Sequence, residues 1–183
     1  PGREEEMAGY PLCEKGWSGS RVRDKLLPLA GLTAAEVRFE NVARCRPPRG
    51  KTGDLPLTPT EIANCAPFLH AVIAACRPEV IVTLGTPALR WFLPKATLKA
   101  VHGQPQVIQT GYALPPTLLL VPMYHPAAGH PTRNPGLAQV MVEDWTRLGE
   151  FLKGTAIHEL GDYREVSDRG ILEFILAGGL GVE

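Results

Sequence analysis

The sequence predicts an α/β domain of three layers, αβα, with a mainly parallel central sheet, and three observations predict it. Strand-like and helix-like runs alternate along the chain. The segment EVIVTLG (79–85) is a continuous apolar run ending in glycine, as a strand buried on both faces is. The segment NPGLAQVMVEDWTRLGEFL (134–152) carries Leu137, Met141, Trp145 and Leu148 along one stripe, the pattern of an amphipathic helix. Such alternation places helices on both faces of a parallel sheet.

The elements follow in order. Residues 1–19 hold glycine, proline and three consecutive glutamates and read as a long functional loop. SRVRDKLLPLAGL has Val22, Leu26 and Leu27 at helical spacing. Val37 to Val42 alternates as a short strand, then breaks into the Pro/Gly/Lys-rich RCRPPRGKTGDLPLTP. Thr58 is a suitable cap and Pro59 a suitable first residue for a helix that runs to about Cys76 and stops before Pro78. After the 79–85 strand, TPALRWFL opens another helix, and QPQVIQTGYALPPTLLLVPMYHP holds two strand-like runs.

The bulk properties narrow the function. At 183 residues, with 44% hydrophobic and 21% charged content, the chain suits one α/β domain with a real core. Lys+Arg and Asp+Glu are both 19, so a nucleic-acid partner would have to be met by a local basic patch. No apolar run approaches the roughly 20 residues of a membrane helix, and no signal peptide is present, so the expectation is a cytoplasmic protein with no membrane partner. Cysteines at 13, 45, 65 and 76 form no CxxC pair and are read as metal ligands or buried thiols. The chain opens on Pro1-Gly2 without Met and ends on GGLGVE, which reads as a piece cut from something larger.

In a parallel sheet, ligand-binding residues gather beyond the carboxyl ends of the strands. Asn41 and His125 both fall at such ends. No P-loop or GxGxxG accompanies them, which counts against a nucleotide hydrolase.

Several segments, in order, carry a resemblance: PGREEEMAGYPL, FENVARCRPP, PEVIVTLGTPAL, and PMYHPA followed by RNP. Together they resemble the iron–sulfur uracil-DNA glycosylases usually called family 4. The resemblance implies a glycosylase-like domain over 1–153, with its first strand and the start of its first motif upstream. It leaves 154–183 as a linker or the start of a following domain. Residues Tyr163 to Asp168 faintly resemble the entrance to the exonuclease domain of family A DNA polymerases.

The implied chemistry is hydrolysis of the N-glycosidic bond of a uracil flipped out of DNA. Expelling a uracil anion calls for donors aimed at the base and for a carboxylate or positioned water on the far side of the sugar. Asn41 would read uracil O4 and N3–H with its carboxamide, and His125 would donate to O2. A second His-Pro at 130–131 leaves that register open. Glu5 is either the pocket carboxylate that holds a water or one of a solvated run, Glu4 to Glu6. Pro1, Gly2 and Leu12 would contact the base, but Leu12 stands where the family has a phenylalanine to stack on it. Tyr10 or Trp17 could supply that ring instead. Arg46, Arg49, Lys51 and Arg133 are candidates for phosphate contacts.

Cys45 and Cys65 match half the family's 4Fe–4S ligands, with two further cysteines expected upstream of residue 1; otherwise they are two free thiols. The expected activity is excision of uracil from DNA in base-excision repair by a monomer. The alternative is a weak or inactive DNA- or uracil-binding module fused to a DNA polymerase.

Overall fold

The computed structural model describes residues 2–51, 53–109, 117–154 and 173–177. A five-stranded sheet in the order β1-β5-β2-β4-β3 forms the middle layer. Its strands are β1 (Val37–Asn41), β2 (Val80–Leu84), β3 (Gln106–Gln109), β4 (Thr117–Met123) and β5 (Glu173–Ala177). All neighbours run parallel except β3, which is antiparallel to β4 at the edge. The mainly parallel αβα reading therefore holds.

Each face of the sheet is covered because the strands send alternate residues to opposite sides. Val80, Val82 and Leu84 of β2, with Val121 and Met123 of β4, meet the first helical layer. That layer comprises α2 (Trp17–Arg21), a π turn over Val22–Leu26, α3 (Leu27–Leu29) and α7 (Pro135–Leu152). Ile81, Leu118 and Leu120 meet the second, built from α4 (Pro59–Cys76), α5 (Thr86–Phe92) and α6 (Leu98–Val101). Trp145 of α7 is fully buried at the centre of the first layer.

Local chemistry sets the helix ends. Thr58 caps α4, its hydroxyl accepting from the Glu61 N–H while Glu61 accepts from the Thr58 N–H, and Asn134 caps α7. Residues 1–19, expected as a loop, contain the short helix α1 (Arg3–Ala8). Glu4, Glu5 and Glu6 sit in its first turn, where carboxylates suit the positive end of the helix dipole, and the Glu5 carboxylate accepts from the Gly2 N–H. Gly9, at φ 79°, ends it.

The reading of 154–183 as lying outside the domain is corrected at 173–177. Β5 pairs with β1 on one side and β2 on the other, in the interior of the sheet. After Glu173, its sequence Phe174 to Ala177 is the continuous apolar run that such a doubly flanked position demands. Residues 163–168, which carried the polymerase likeness, lie outside the described residues. Among the described residues no helix is long and apolar enough to cross a membrane.

Candidate active site

The carboxyl ends of the strands lie in register: Asn41, Ala177, Leu84 and Met123 pair across four neighbouring strands in one row. A cavity of about 500 Å³ opens above that row. Its lining includes Gly2, Glu5, Asn41, His125 and Arg133, contributed by four separate stretches of chain.

Asn41 is the last residue of β1 and is 8% exposed. Its carboxamide makes no hydrogen bond among the described residues, although its backbone N–H donates to Glu40 Oε1 at 3.1 Å. Glu40, itself buried, is paired with Arg44 at 3.2 Å. A half-enclosed amide with free donor and acceptor is what reading a base edge requires, since buried polar groups otherwise find partners.

His125 stands two residues beyond β4, at the start of a 3₁₀ turn (Pro126–Gly129). Its Nδ1 accepts from the Ala127 N–H at 3.3 Å, which leaves the proton of the neutral ring on Nε2 as a donor. Burial lowers its pKa to about 4, with the nearby Glu5 charge pulling the other way. The ring is thus a neutral donor at neutral pH. Two neighbours hold it there. Gly85, at φ 86°, donates its N–H to Met123 O at 2.8 Å, and a Cβ on it would stand 3.2 Å from His125 Cβ. Gly103 donates to Pro122 O at 2.7 Å, and the His102 ring packs on Tyr124 with centroids 4.8 Å apart. His102 is fixed in turn by the buried Asp144 of α7, at 2.7 Å.

Glu5 lines the cavity together with two other carboxylates, Glu4 and Asp54. Its two oxygens accept from the N–H groups of Gly2 and Leu12, at 2.5 Å each, so it is a positioned group rather than a loose member of the acidic run. Leu12, expected to touch the base, is placed elsewhere. It is 1% exposed, packs in the core with Val22 and Leu26, and is not among the cavity-lining residues. Its backbone adopts φ 47°, pinned by the Arg23 Nε bond to its carbonyl at 2.7 Å and by Gly19, where a Cβ would lie 2.6 Å from that carbonyl. Pro1 lies outside the described residues.

The candidate phosphate contacts divide. Arg133 is exposed on the cavity lining. Arg46 instead makes a two-pronged pair with Asp54, at 2.9 and 2.8 Å, and a longer one with Glu6. Arg49 and Lys51 are exposed on the same loop, away from the lining. Sequence reading missed Asp54 and Ser18, which also line the cavity; nothing in their local sequence distinguishes them from turn residues. Both His-Pro histidines line it, His125 before and His130 after the 3₁₀ turn.

Cys45 is exposed and Cys65 half-buried, and the Arg44 N–H donates to Cys65 Sγ at 3.4 Å, so the two cysteine-bearing segments touch. Among the described residues no three His, Cys, Asp or Glu side chains group as a metal site. Two thiolates are half of what a 4Fe–4S cluster takes, so these residues do not hold one unaided. Cys13 is fully buried and Cys76 ends α4 on the far layer.

Residues 1–144 match the model of the uracil DNA glycosylase superfamily. The chain is 34% identical over 155 residues to the type-4 uracil-DNA glycosylase of Thermotoga maritima, covering 84% of this chain and 74% of that protein. It is 29% identical over 162 residues to that of Saccharolobus solfataricus (86% and 70% covered). With that of Archaeoglobus fulgidus it shares 30% over 156 residues (82% and 72% covered).

Proposed function

The chain belongs to the uracil DNA glycosylase superfamily, and from that premise we propose that it is a DNA glycosylase that flips uracil out of DNA and hydrolyses its N-glycosidic bond in repair. The observation that carries this reading is the convergence of Asn41, His125 and Glu5 on one cavity.

The steps follow from the groups present. Uracil enters with its polar edge toward Asn41, whose NH₂ donates to O4 and whose carbonyl accepts from N3–H. As the bond from N1 to C1′ lengthens, negative charge gathers on the base, and His125 Nε2–H donates to O2. A neutral imidazole does this without carrying a charge into the cavity, and Ala127 N–H on Nδ1 fixes the tautomer. Glu5 faces the cation-like sugar, holds the water that adds to C1′ and takes the proton that water loses, while uracil leaves as the anion; its own orientation is set by Gly2 and Leu12. Arg133, at the rim, meets a phosphate of the same strand. The enzyme acts as a monomer on uracil-containing DNA.

A 4Fe–4S cluster forms part of this reading as a structural group. Cys45 and Cys65 would supply two of its thiolates, and visible absorption of the purified protein tests for it. The relatives named above are glycosylases, so the reading as a module fused to a polymerase gains no support from them. The deciding assay incubates the protein in excess with a labelled uracil-containing oligonucleotide and then cleaves abasic sites with alkali. A uracil-dependent product is expected; its absence overturns the reading.

A further inference from the structure

With Leu12 turned into the core, the cavity takes its aromatic surface from elsewhere. Among its described lining residues the rings are Trp17, His125 and His130. Trp17 and His130 stack on each other, centroids 4.6 Å apart and planes 23° from parallel. Trp17, at the start of α2, is 40% exposed despite its size. Neither ring is loose. The Arg21 guanidinium lies 5.5 Å from the Trp17 ring centre, and His130 Nδ1 sits 2.9 Å from Thr132 Oγ1. Asn41 is 8% exposed at the end of a strand, whereas Trp17 is 40% exposed and His130 half-buried, so both rings are open to an incoming group. A large indole held half in solvent, at a cavity whose deeper groups read a base edge, is a surface waiting for a flat partner.

We propose that Trp17 and His130 form a stacking platform for a nucleobase of the bound strand, supplying the flat face that Leu12 does not. The proposal rests on the glycosylase reading above and deepens it. An incoming base extends the two-ring stack by one member. Every base has a π-face, so the platform contributes affinity without choosing sequence, and choice stays with Asn41. Stacking is insensitive to salt, unlike the Arg133 contact, which weakens as counterions compete.

The test uses the whole protein and a single-stranded oligonucleotide carrying 2′-fluoro-2′-deoxyuridine, whose fluorine disfavours the cation-like sugar and slows cleavage. Binding quenches the tryptophan emission of the wild type, because Trp145 is fully buried, Trp91 of α5 packs against His70 of α4 and its neighbour Phe92, and of the three tryptophans Trp17 alone lines the cavity. Trp17→Leu loses the quench and binds the labelled oligonucleotide roughly 5- to 150-fold more weakly, from about 1–3 kcal/mol per stacked base. That ratio stays the same from low to high salt. Trp17→Phe restores most of the affinity, and His130→Ala weakens binding in the same direction. Should Trp17→Leu fold poorly by circular dichroism, the wild-type quench and the other two variants carry the test. Unquenched wild-type emission on binding, or Trp17→Leu and His130→Ala binding like wild type, overturns the platform and leaves the glycosylase assay untouched. Binding and quench without uracil release would overturn the glycosylase reading and not the platform.

Discussion

Replacing His125 by alanine tests the central chemical claim, because the size of the effect and its pH dependence can both be stated in advance. The ring offers one donor, Nε2–H, to the developing negative charge on the base. Removing one such donor typically costs about 2.7–4 kcal/mol, or roughly 10²–10³ in turnover. The expectation is a loss of that size in single-turnover rate with a smaller change in binding. The wild-type profile follows from burial of the ring. With a pKa lowered from 6.5 to about 4, charging the ring inside the protein is disfavoured by roughly 3 kcal/mol, at ~1.36 kcal/mol per unit. That figure is an upper bound, because the ring retains some contact with solvent. Activity carried by the neutral form therefore persists as pH falls through 6.5 and declines only near 4. Stability has a matching sign. The unfolded chain holds the extra proton between about 6.5 and about 4, so His125 destabilises the fold progressively as pH falls through that window and adds no slope above it. The assay is single-turnover cleavage of a labelled uracil oligonucleotide from about pH 4 to about pH 8, with thermal melts at each pH. A variant within about threefold of wild type, or an acid limb centred near 6.5, would refute the neutral-donor argument.

Three further outcomes follow from the same geometry. Asn41→Ala should lower kcat/KM on uracil roughly 10²-fold or more, since its buried site then leaves the base edge unpaired, and competition by free uracil should weaken in parallel. Gly85→Ala places a Cβ 3.2 Å from His125 Cβ at φ 86°, so a loss of about 1–2 kcal/mol in denaturant melts should accompany reduced turnover; unchanged values would mean the β2 end is not bracing His125. Ile175→Pro removes a backbone donor from β5, which has neighbours on both sides. It should cost about 1–3 kcal/mol for the acceptor left unpaired, seen as a lower Tm, and an unchanged melt would show that 173–177 is not integral to the sheet.

How much of this was legible in the sequence depends on how local each signal is. The apolar run at 79–85, the Thr58 cap and the α7 stripe are written in adjacent residues and appear in the structure as read. Asn41 and His125 were legible because both sit where a strand ends, and parallel sheets collect their sites on that edge. The rest was not local. That Leu12 turns inward depends on α2 pressing Gly19 onto its carbonyl and on Arg23 holding it, contacts made from 7 and 11 residues away. That Arg46 is occupied depends on Asp54 and Glu6, the latter 40 positions distant. Composition shows such groups but not their partners.

The placement of β5 explains the width of the site. Strands in a sheet lie about 4.8 Å apart, and Asn41 and Met123 occupy the same row with Ala177 and Leu84 between them. Three spacings separate their backbones by roughly 14 Å. His125, two residues past Met123, leans back over the end of β2, where its Cβ stands 3.2 Å from the position a Cβ on Gly85 would take, so its ring starts nearer to Asn41 than the row of backbones alone implies. Were β1 paired directly to β2, one spacing fewer, or roughly 10 Å, would separate the same two backbones. Β5 thus acts as a spacer in the sheet between the strand that ends on Asn41 and the strands that lead to Gly85 and His125. Its contribution is geometric, made through the backbone pairing with β1 and β2.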